Sequence, residues 1–203
     1  MSRPGWPVVL QDGHVGLRPL KRSDAAVWRQ VRLRNEQWLR PWEATAPTTD
    51  TDPLPTFFGM VARLRSEARG GRALPFAITY DGRLVGQVTV GGITYGSARS
   101  GYIGYWVDQA VAGRGVVPTA VALVVDHCFE VIQLHRLEIS IRPENAASLR
   151  VVEKLGLRNE GLRERLLHID GDWRDHVTFA VTAEEVAPAG LLARWRGLRV
   201  REP

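Results

Sequence analysis

The stretch that decides the fold runs S-G-Y-I-G-Y-W-V at residues 100–107, A-G-R-G-V-V at 112–117 and R-L-E-I-S-I at 136–141. The outer pieces read as strands, since branched and aromatic residues crowd the first and the last alternates polar with apolar. Between them Val121, Val124, Val125, Cys128 and Ile132 fall on one helical face, in a helix opening at Pro118. Proline at a first helical position costs no hydrogen bond, because that amide has no partner within the helix. Strand, helix, strand predicts a βαβ crossover with its two strands parallel and its hand right-handed. The glycine turn joining strand to helix is also a candidate site. Gly113 and Gly115 permit positive φ and close backbone approach, while the helix start supplies unpaired amides and the positive end of a dipole; together these suit a phosphate. The plain alternative is an ordinary strand-to-helix turn. It is not a dinucleotide fingerprint, since no third glycine or ribose-binding acid follows, and no Gly-Lys-Ser/Thr triphosphate loop occurs.

Working outward, Val15 to Leu20 reads as a short strand, and Ser23-Asp24 caps a helix through about Arg34. The segment 37–52, with Trp38, Pro41, Trp42 and Pro47, reads as a loop over one end of the fold. A second helix after Pro55 carries Phe57, Val61, Leu64 and Ala68 and stops at Gly70-Gly71. Leu74–Tyr80 and Leu84–Ile93 form a hairpin around Asp81-Gly82, and Arg163–Ile169 and Trp173–Val181 another around Asp170-Gly171. Asn145–Leu155 is a helix closed by Gly156. The order β-α-α-β-β-β-α-β-α-β-β predicts an α+β fold. Helices should cover both faces of a twisted, mixed, mostly antiparallel sheet with the βαβ unit at its centre. One domain is expected over residues 1–183, with 184–203 a basic tail, either a short appended helix or disordered.

Composition excludes several classes. The chain has 203 residues, 44% hydrophobic and 24% charged, which is globular. One cysteine, Cys128, rules out an intramolecular disulfide and an all-cysteine metal site, fits a reducing compartment, and lies on the core side of its helix. No run reaches the ~20 apolar residues of a bilayer span. The opening M-S-R-P-G lacks the apolar centre of a secretory signal, so a cytoplasmic location without membrane partners is expected. The net charge of +5 suits an anionic ligand or a ribosomal neighbourhood. With only Lys21 and Lys154 as lysines and no block of like charge, direct DNA binding is not expected. His168 and His176 sit on the two arms of the last hairpin without a third ligand at suitable spacing, so no metal is expected; His127 and His135 read as structural.

Together with these elements, G-Y-W-V at 104–107, A-G-R-G-V-V at 112–117, L-H-R-L-E at 134–138 and R-P-E-N-A-A-S-L-R-V-V-E-K-L-G at 142–156 give a chain that resembles the GCN5-related N-acetyltransferase (GNAT) superfamily. More narrowly it resembles the ribosomal-protein-alanine N-acetyltransferase branch, the RimJ/RimL type. That likeness rests on L-R-P-W-E at 39–43, N-E-G at 159–161 and L-L-H-I-D-G-D-W-R-D-H-V at 166–177. The resemblance covers about residues 13–182. It implies a GNAT fold and acetyl transfer from acetyl-CoA, as co-substrate, to an amine. The family's pyrophosphate loop usually reads Gln/Arg-x-x-Gly-x-Gly/Ala; here Ala112 and Val117 replace its first and last residues and Gly115 is in place. The expected consequences are one lost side-chain contact and added bulk near the phosphates, which Arg114 offsets by pairing with phosphate.

The resemblance also distributes roles. Gly113, Arg114, Gly115, Val116 and Val117 hold the pyrophosphate, Tyr105, Trp106 and Val107 line the cofactor slot through main-chain groups, and Asn145 bonds the pantetheine arm while also serving as an N-cap. Glu160, in N-E-G, accepts the amine's proton, directly or through water, and partial burial is expected to raise its pKa. The alternative is a solvated surface carboxylate between Arg158 and Arg163. Ser148 protonates the leaving thiolate, or is a plain first-turn serine. Many relatives carry glutamate where Tyr102 stands, which places more weight on Glu160. Trp38 and Trp42 read as loop anchors beside the acceptor site. The favoured acceptor is a protein N-terminus, such as that of a ribosomal protein. A reference α-amino pKa near 8, against about 10.4 for lysine, makes that nitrogen easier to deprotonate. A small-molecule amine, or a non-catalytic acyl-CoA-binding module, are the competing readings.

Overall fold

A computed structural model describes residues 5–47 and 56–199. The expectations for residues 1–4, 48–55 and 200–203, including the far part of the 37–52 connection, lie outside the described residues. One eight-stranded sheet has the order β1 (Leu10–Asp12), β2 (Val15–Pro19), β3 (Leu74–Tyr80), β4 (Arg83–Thr94), β5 (Ser100–Val107), β6 (Arg136–Ile141), β8 (Asp172–Thr182), β7 (Arg158–Ile169). Every joint is antiparallel except that of β5 with β6.

That parallel joint is short. Ser100–Tyr102 pairs with Arg136–Glu138, and beyond these residues the two strands no longer bond to each other. Yet β5 stays paired to β4 out to Val107, and β6 to β8 out to Ile141. The sheet therefore opens into a wedge between Ile103–Val107 and Ile139–Ile141. Two helices begin at the mouth of this wedge: α4 (Val116–Glu130) after β5 and α5 (Ala146–Leu155) after β6.

Side-chain alternation builds two cores. Phe76 and Ile78 of β3 join Val88, Ile103, Leu137 and Ile139 in the larger one, roofed by α4 and α5. Ala77, between them in sequence, points the other way and packs with Val31 of α1 (Ala25–Arg34) and Val61 of α3 (Phe57–Arg69). Helices thus cover both faces, with α1 and α3 lying over β3 and β4 and Trp106 of β5 reaching α1 on that side.

Four features differ from the sequence reading. The segment from residue 184 is not a tail: after α6 (Ala183–Val186), α7 (Leu191–Arg199) buries Leu191 and Trp195 against α4 and α5. Asp126 accepts from the amides of Leu191 (2.6 Å) and Leu192 (3.0 Å), capping α7. The packed body therefore continues past residue 183. The 37–52 loop begins with a helical turn, α2 (Glu36–Leu39), and β1 was not foreseen. β7 starts at Arg158 instead of Arg163; its first residues are polar and exposed, so period-2 alternation is missing there.

Candidate functional site

Gly113 and Gly115 adopt φ of 80° and 77°, and Gly115 is the N-cap of α4. A residue with a Cβ is strained at either position. The next helical amide with a carbonyl partner is Thr119, bonded to Gly115 O at 3.1 Å. Pro118 has no amide, so the N–H groups of Val116 and Val117 point out of the helix start. Val117 itself is buried in the larger core. Its side chain is packed inward among the residues under α4. Arg114 is exposed at the loop's tip.

The loop is anchored from behind. Asp108 caps the turn leading into it, accepting from Ala110 N at 3.2 Å. Asn35, buried at the joint of α1 and α2, donates to Asp108 Oδ1 (2.9 Å) and Val31 O (2.8 Å) and accepts from Gln109 N (2.9 Å). Burial works against the Asp108 charge, but hydrogen bonds from Arg34, Asn35 and the Ala110 amide outweigh it and hold the carboxyl below its usual range. Sequence reading missed this clasp, because a buried Asn and Asp more than seventy residues apart leave no local signal.

At the wedge, Tyr105, Trp106 and Val107 form the edge of β5 that β6 leaves unpaired. Trp106 turns its ring to α1, edge-on to Trp28 at 6.0 Å, with Arg32 5.3 Å above it. Tyr105 turns the other way, beneath the start of α5. There Asn145 caps the helix by accepting from Ser148 N at 3.1 Å, and the half-buried Ser148 side chain faces the Tyr105 hydroxyl. That hydroxyl is wholly buried, with Ser148 near enough to act on it but short of full hydrogen-bond geometry. Burial pushes its pKa up to about 12, with Ser148 acting weakly the other way.

The segment that follows α2 ties this side of the fold to the last hairpin. After a 3-10 turn at Arg40–Trp42 the chain crosses to the last hairpin: Ala44 bridges to Ile169, Thr45 N bonds His168 O at 2.9 Å, and Thr45 Oγ1 bonds His168 Nδ1 at 2.8 Å. Arg142 braces it, donating to Pro41 O at 2.9 Å with its guanidinium 5.4 Å over Trp42. Trp42 thus anchors the loop. Open grooves lie on both sides, one of about 170 Å³ lined by Arg142, Glu144, Trp173, Arg174 and Asp175, the other of about 360 Å³ along Trp28, Arg32, Leu33, Glu36, Arg40 and Glu43.

Glu160 lies elsewhere in character. Arg136 Nη1 donates to its Oε1 at 2.9 Å, Arg136 Nη2 holds its Oε2, and Arg158 Nη2 donates to Oε1 at 2.7 Å. These bonds, Arg136 first and Arg158 next, pull its pKa down to about 2. The expected upward shift is corrected: the side chain is exposed on β7, and burial cannot compete with two guanidinium groups. Arg136 opens β6, whereas Ser148 follows its far end, so the structure groups Tyr105, Asn145 and Ser148 and holds Glu160 in a separate ion-pair cluster with Glu138 and Arg163.

The histidines have separate partners: His176 Nδ1 faces Arg174 O, His168 faces Thr45, and His127 faces the Gly5 carbonyl. Among the described residues no three His, Cys, Asp or Glu side chains cluster to hold a metal, and no helix is long and apolar enough to cross a membrane. The donor set fits a coenzyme A thioester: outward amides at the start of α4 for a pyrophosphate, an unpaired strand edge for an amide-bearing arm, and the half-buried Ser148 hydroxyl at its end.

Comparison with known proteins agrees. The model of the acetyltransferase (GNAT) domain matches residues 14–158. The solved structure of Mycobacterium smegmatis RimJ in complex with CoA-disulfide superimposes with a TM-score of 0.89 at 42% identity, covering 98% of both chains. The probable N-acetyltransferase YjcK of Bacillus subtilis is 41% identical over 101 residues, half of this chain and 56% of that protein. The [ribosomal protein uS5]-alanine N-acetyltransferase of Escherichia coli is 26% identical over 171 residues, covering 81% of this chain and 87% of that one.

Proposed function

Because the chain belongs to the GNAT acetyltransferase family and takes acetyl-CoA as co-substrate, we propose that it acetylates the N-terminal α-amino group of a protein, a ribosomal protein foremost, in the cytoplasm. The observation that carries the reading is the 42% identity to the RimJ structure over nearly the whole chain, beside the similarity to an enzyme named for ribosomal protein uS5. The form of the acceptor side supports it. A braced loop with open grooves to either side admits an extended chain, and Trp173 and Arg142, itself stacked on Trp42, line one of them.

In this reading the amides of 115–117, with Arg114, hold the pyrophosphate; the Tyr105–Val107 edge and Asn145 hold the arm. When bound, acetyl-CoA supplies an acyl group activated by a thiol leaving group. Ser148 gives a proton to that sulfur. About a tenth of an α-amino group with pKa near 8 is already neutral at pH 7, so solvent suffices to take the proton from the rest. Glu160, with a pKa of about 2 and both oxygens bonded, is a weak acceptor for it. We therefore assign Glu160 to the ion-pair cluster and leave deprotonation to water.

The test is thiol release from acetyl-CoA with a panel of N-terminal peptides and, in parallel, polyamines and amino acids. Rapid acetylation of peptides supports the reading; turnover confined to small amines transfers it to the runner-up. Binding of acetyl-CoA without turnover of either would leave an acyl-CoA-binding module.

A further inference from the structure

The Tyr105 hydroxyl makes no hydrogen bond of full geometry within the fold. It is buried, with no donor or acceptor partner of hydrogen-bonding geometry, and a buried hydroxyl in that state costs stability. Phenylalanine would fill the same space without the cost. What distinguishes the position is its neighbour: Ser148, at the first turn of α5, is the polar side chain acting on it. Ser148's amide is fixed by the Asn145 cap at 3.1 Å, which holds the residue's backbone but leaves its O–H free to rotate. A serine rotor that spends its proton on a helical carbonyl cannot give it to sulfur.

We propose that Tyr105 is a positioning residue for the leaving-group proton: its O–H donates to Ser148 Oγ, occupies one lone pair, and turns the serine proton outward to the departing sulfur. The proposal rests on Ser148 as the acid in acetyl transfer. In the step, the amine nitrogen forms its bond to the acyl carbon as the C–S bond breaks. The nitrogen's proton leaves to solvent, sulfur takes the Ser148 proton, and solvent restores it; no oxidant or reductant enters. Because Tyr105 remains neutral far above neutral pH, it orients without titrating.

A double-mutant cycle with Tyr105→Phe and Ser148→Ala tests this in the full chain, using acetyl-CoA and whichever amine the unaltered enzyme turns over. Tyr105→Phe is expected to lower kcat about tenfold, the worth of one hydrogen bond, with KM for acetyl-CoA changed by less than about twofold and a melting temperature equal or higher. On the Ser148→Ala background the same change is expected to cost nothing further. The proposal is overturned by unchanged kcat in Tyr105→Phe, whether or not KM rises, or by an equal loss on both backgrounds. A Ser148→Ala enzyme at full rate removes the serine acid and this proposal with it. Because the cycle uses any productive amine, rejection of protein N-termini defeats the acceptor assignment while leaving the Tyr105 result readable.

Discussion

Asn35→Ala is the substitution whose cost the structure sets most closely. The side chain makes three hydrogen bonds: to Val31 O, to Asp108 Oδ1 and from Gln109 N. It is only 3% exposed, as is Asp108, so water does not replace them freely. At about 1 kcal/mol for each bond, the expected loss is about 3 kcal/mol. For a chain of this length that lowers the melting temperature by about 6–12 °C. Urea unfolding of the full chain should show the midpoint fall with an unchanged slope. Since Gln109 leads into the glycine turn that we propose holds the pyrophosphate, KM for acetyl-CoA should rise severalfold as well. Asn35→Asp adds a sharper control, because it sets a second carboxylate against Asp108. It should be at least as damaging at pH 7 and recover partly as the pH approaches 4. A loss below about 0.5 kcal/mol for the alanine variant, the level of an ordinary surface change, would refute the reasoning.

Gly115→Glu forces a side chain onto a φ of 77° and sets a negative charge where the outward amides converge, so calorimetry should detect no acetyl-CoA binding while the far-ultraviolet spectrum stays native; wild-type affinity would move the site elsewhere. Glu160→Gln should reduce turnover by much less than the ~100-fold expected for loss of a general base, and a drop of that size would return the base to Glu160. Its effect on stability has a definite sign: a carboxyl lowered to about 2 contributes above the unfolded value near 4.3 and ceases to as pH falls through its folded value. The gap between wild type and variant, followed by urea midpoints, should thus be constant above about pH 5 and close between about pH 4.5 and 2. Trp195→Ala, which empties a nearly fully buried site and strands the Thr119 hydroxyl it bonds at 2.9 Å, should cost about 3–5 kcal/mol in the same assay; a loss under about 1 kcal/mol would mean that α7 is merely appended.

What the sequence made legible was whatever repeats locally. Residues 74–80, 100–107 and 136–141 have the expected strand bounds, because alternation and turn glycines are written into neighbouring residues. The Gly113–Gly115 turn into α4 and the Asn145 cap were readable for the same reason. The misses share a different cause. Asn35 with Asp108, Tyr105 with Ser148, and Glu160 with Arg136 and Arg158 are consequences of register, and register brings together residues whose separation in sequence carries no period. Glu160 shows the point most plainly. Its motif suggested a carboxylate beside a cleft, while its protonation depends on Arg136, the first residue of a strand two places away in the sheet. The 184–199 segment hid its role because Pro188, Gly190 and Gly197 interrupt it, and the two side chains that bury, Leu191 and Trp195, sit in a stretch punctuated by arginines.

The long β7 strand closes one side of the sheet, where a row of unpaired main-chain groups invites a second chain to add on. Its geometry refuses the invitation. Register shifts between Asn159 and Leu162, and again between Arg163 and Leu167, break the strand into pieces too short and too twisted to template a neighbour. Arg158, Glu160, Arg163, Glu164 and Arg165 line those pieces with charge of both signs. The opposite margin, β1, is only three residues long. With both borders blunted, the molecule resists growing into stacked sheets at high concentration, and an incoming polypeptide is turned away from the borders.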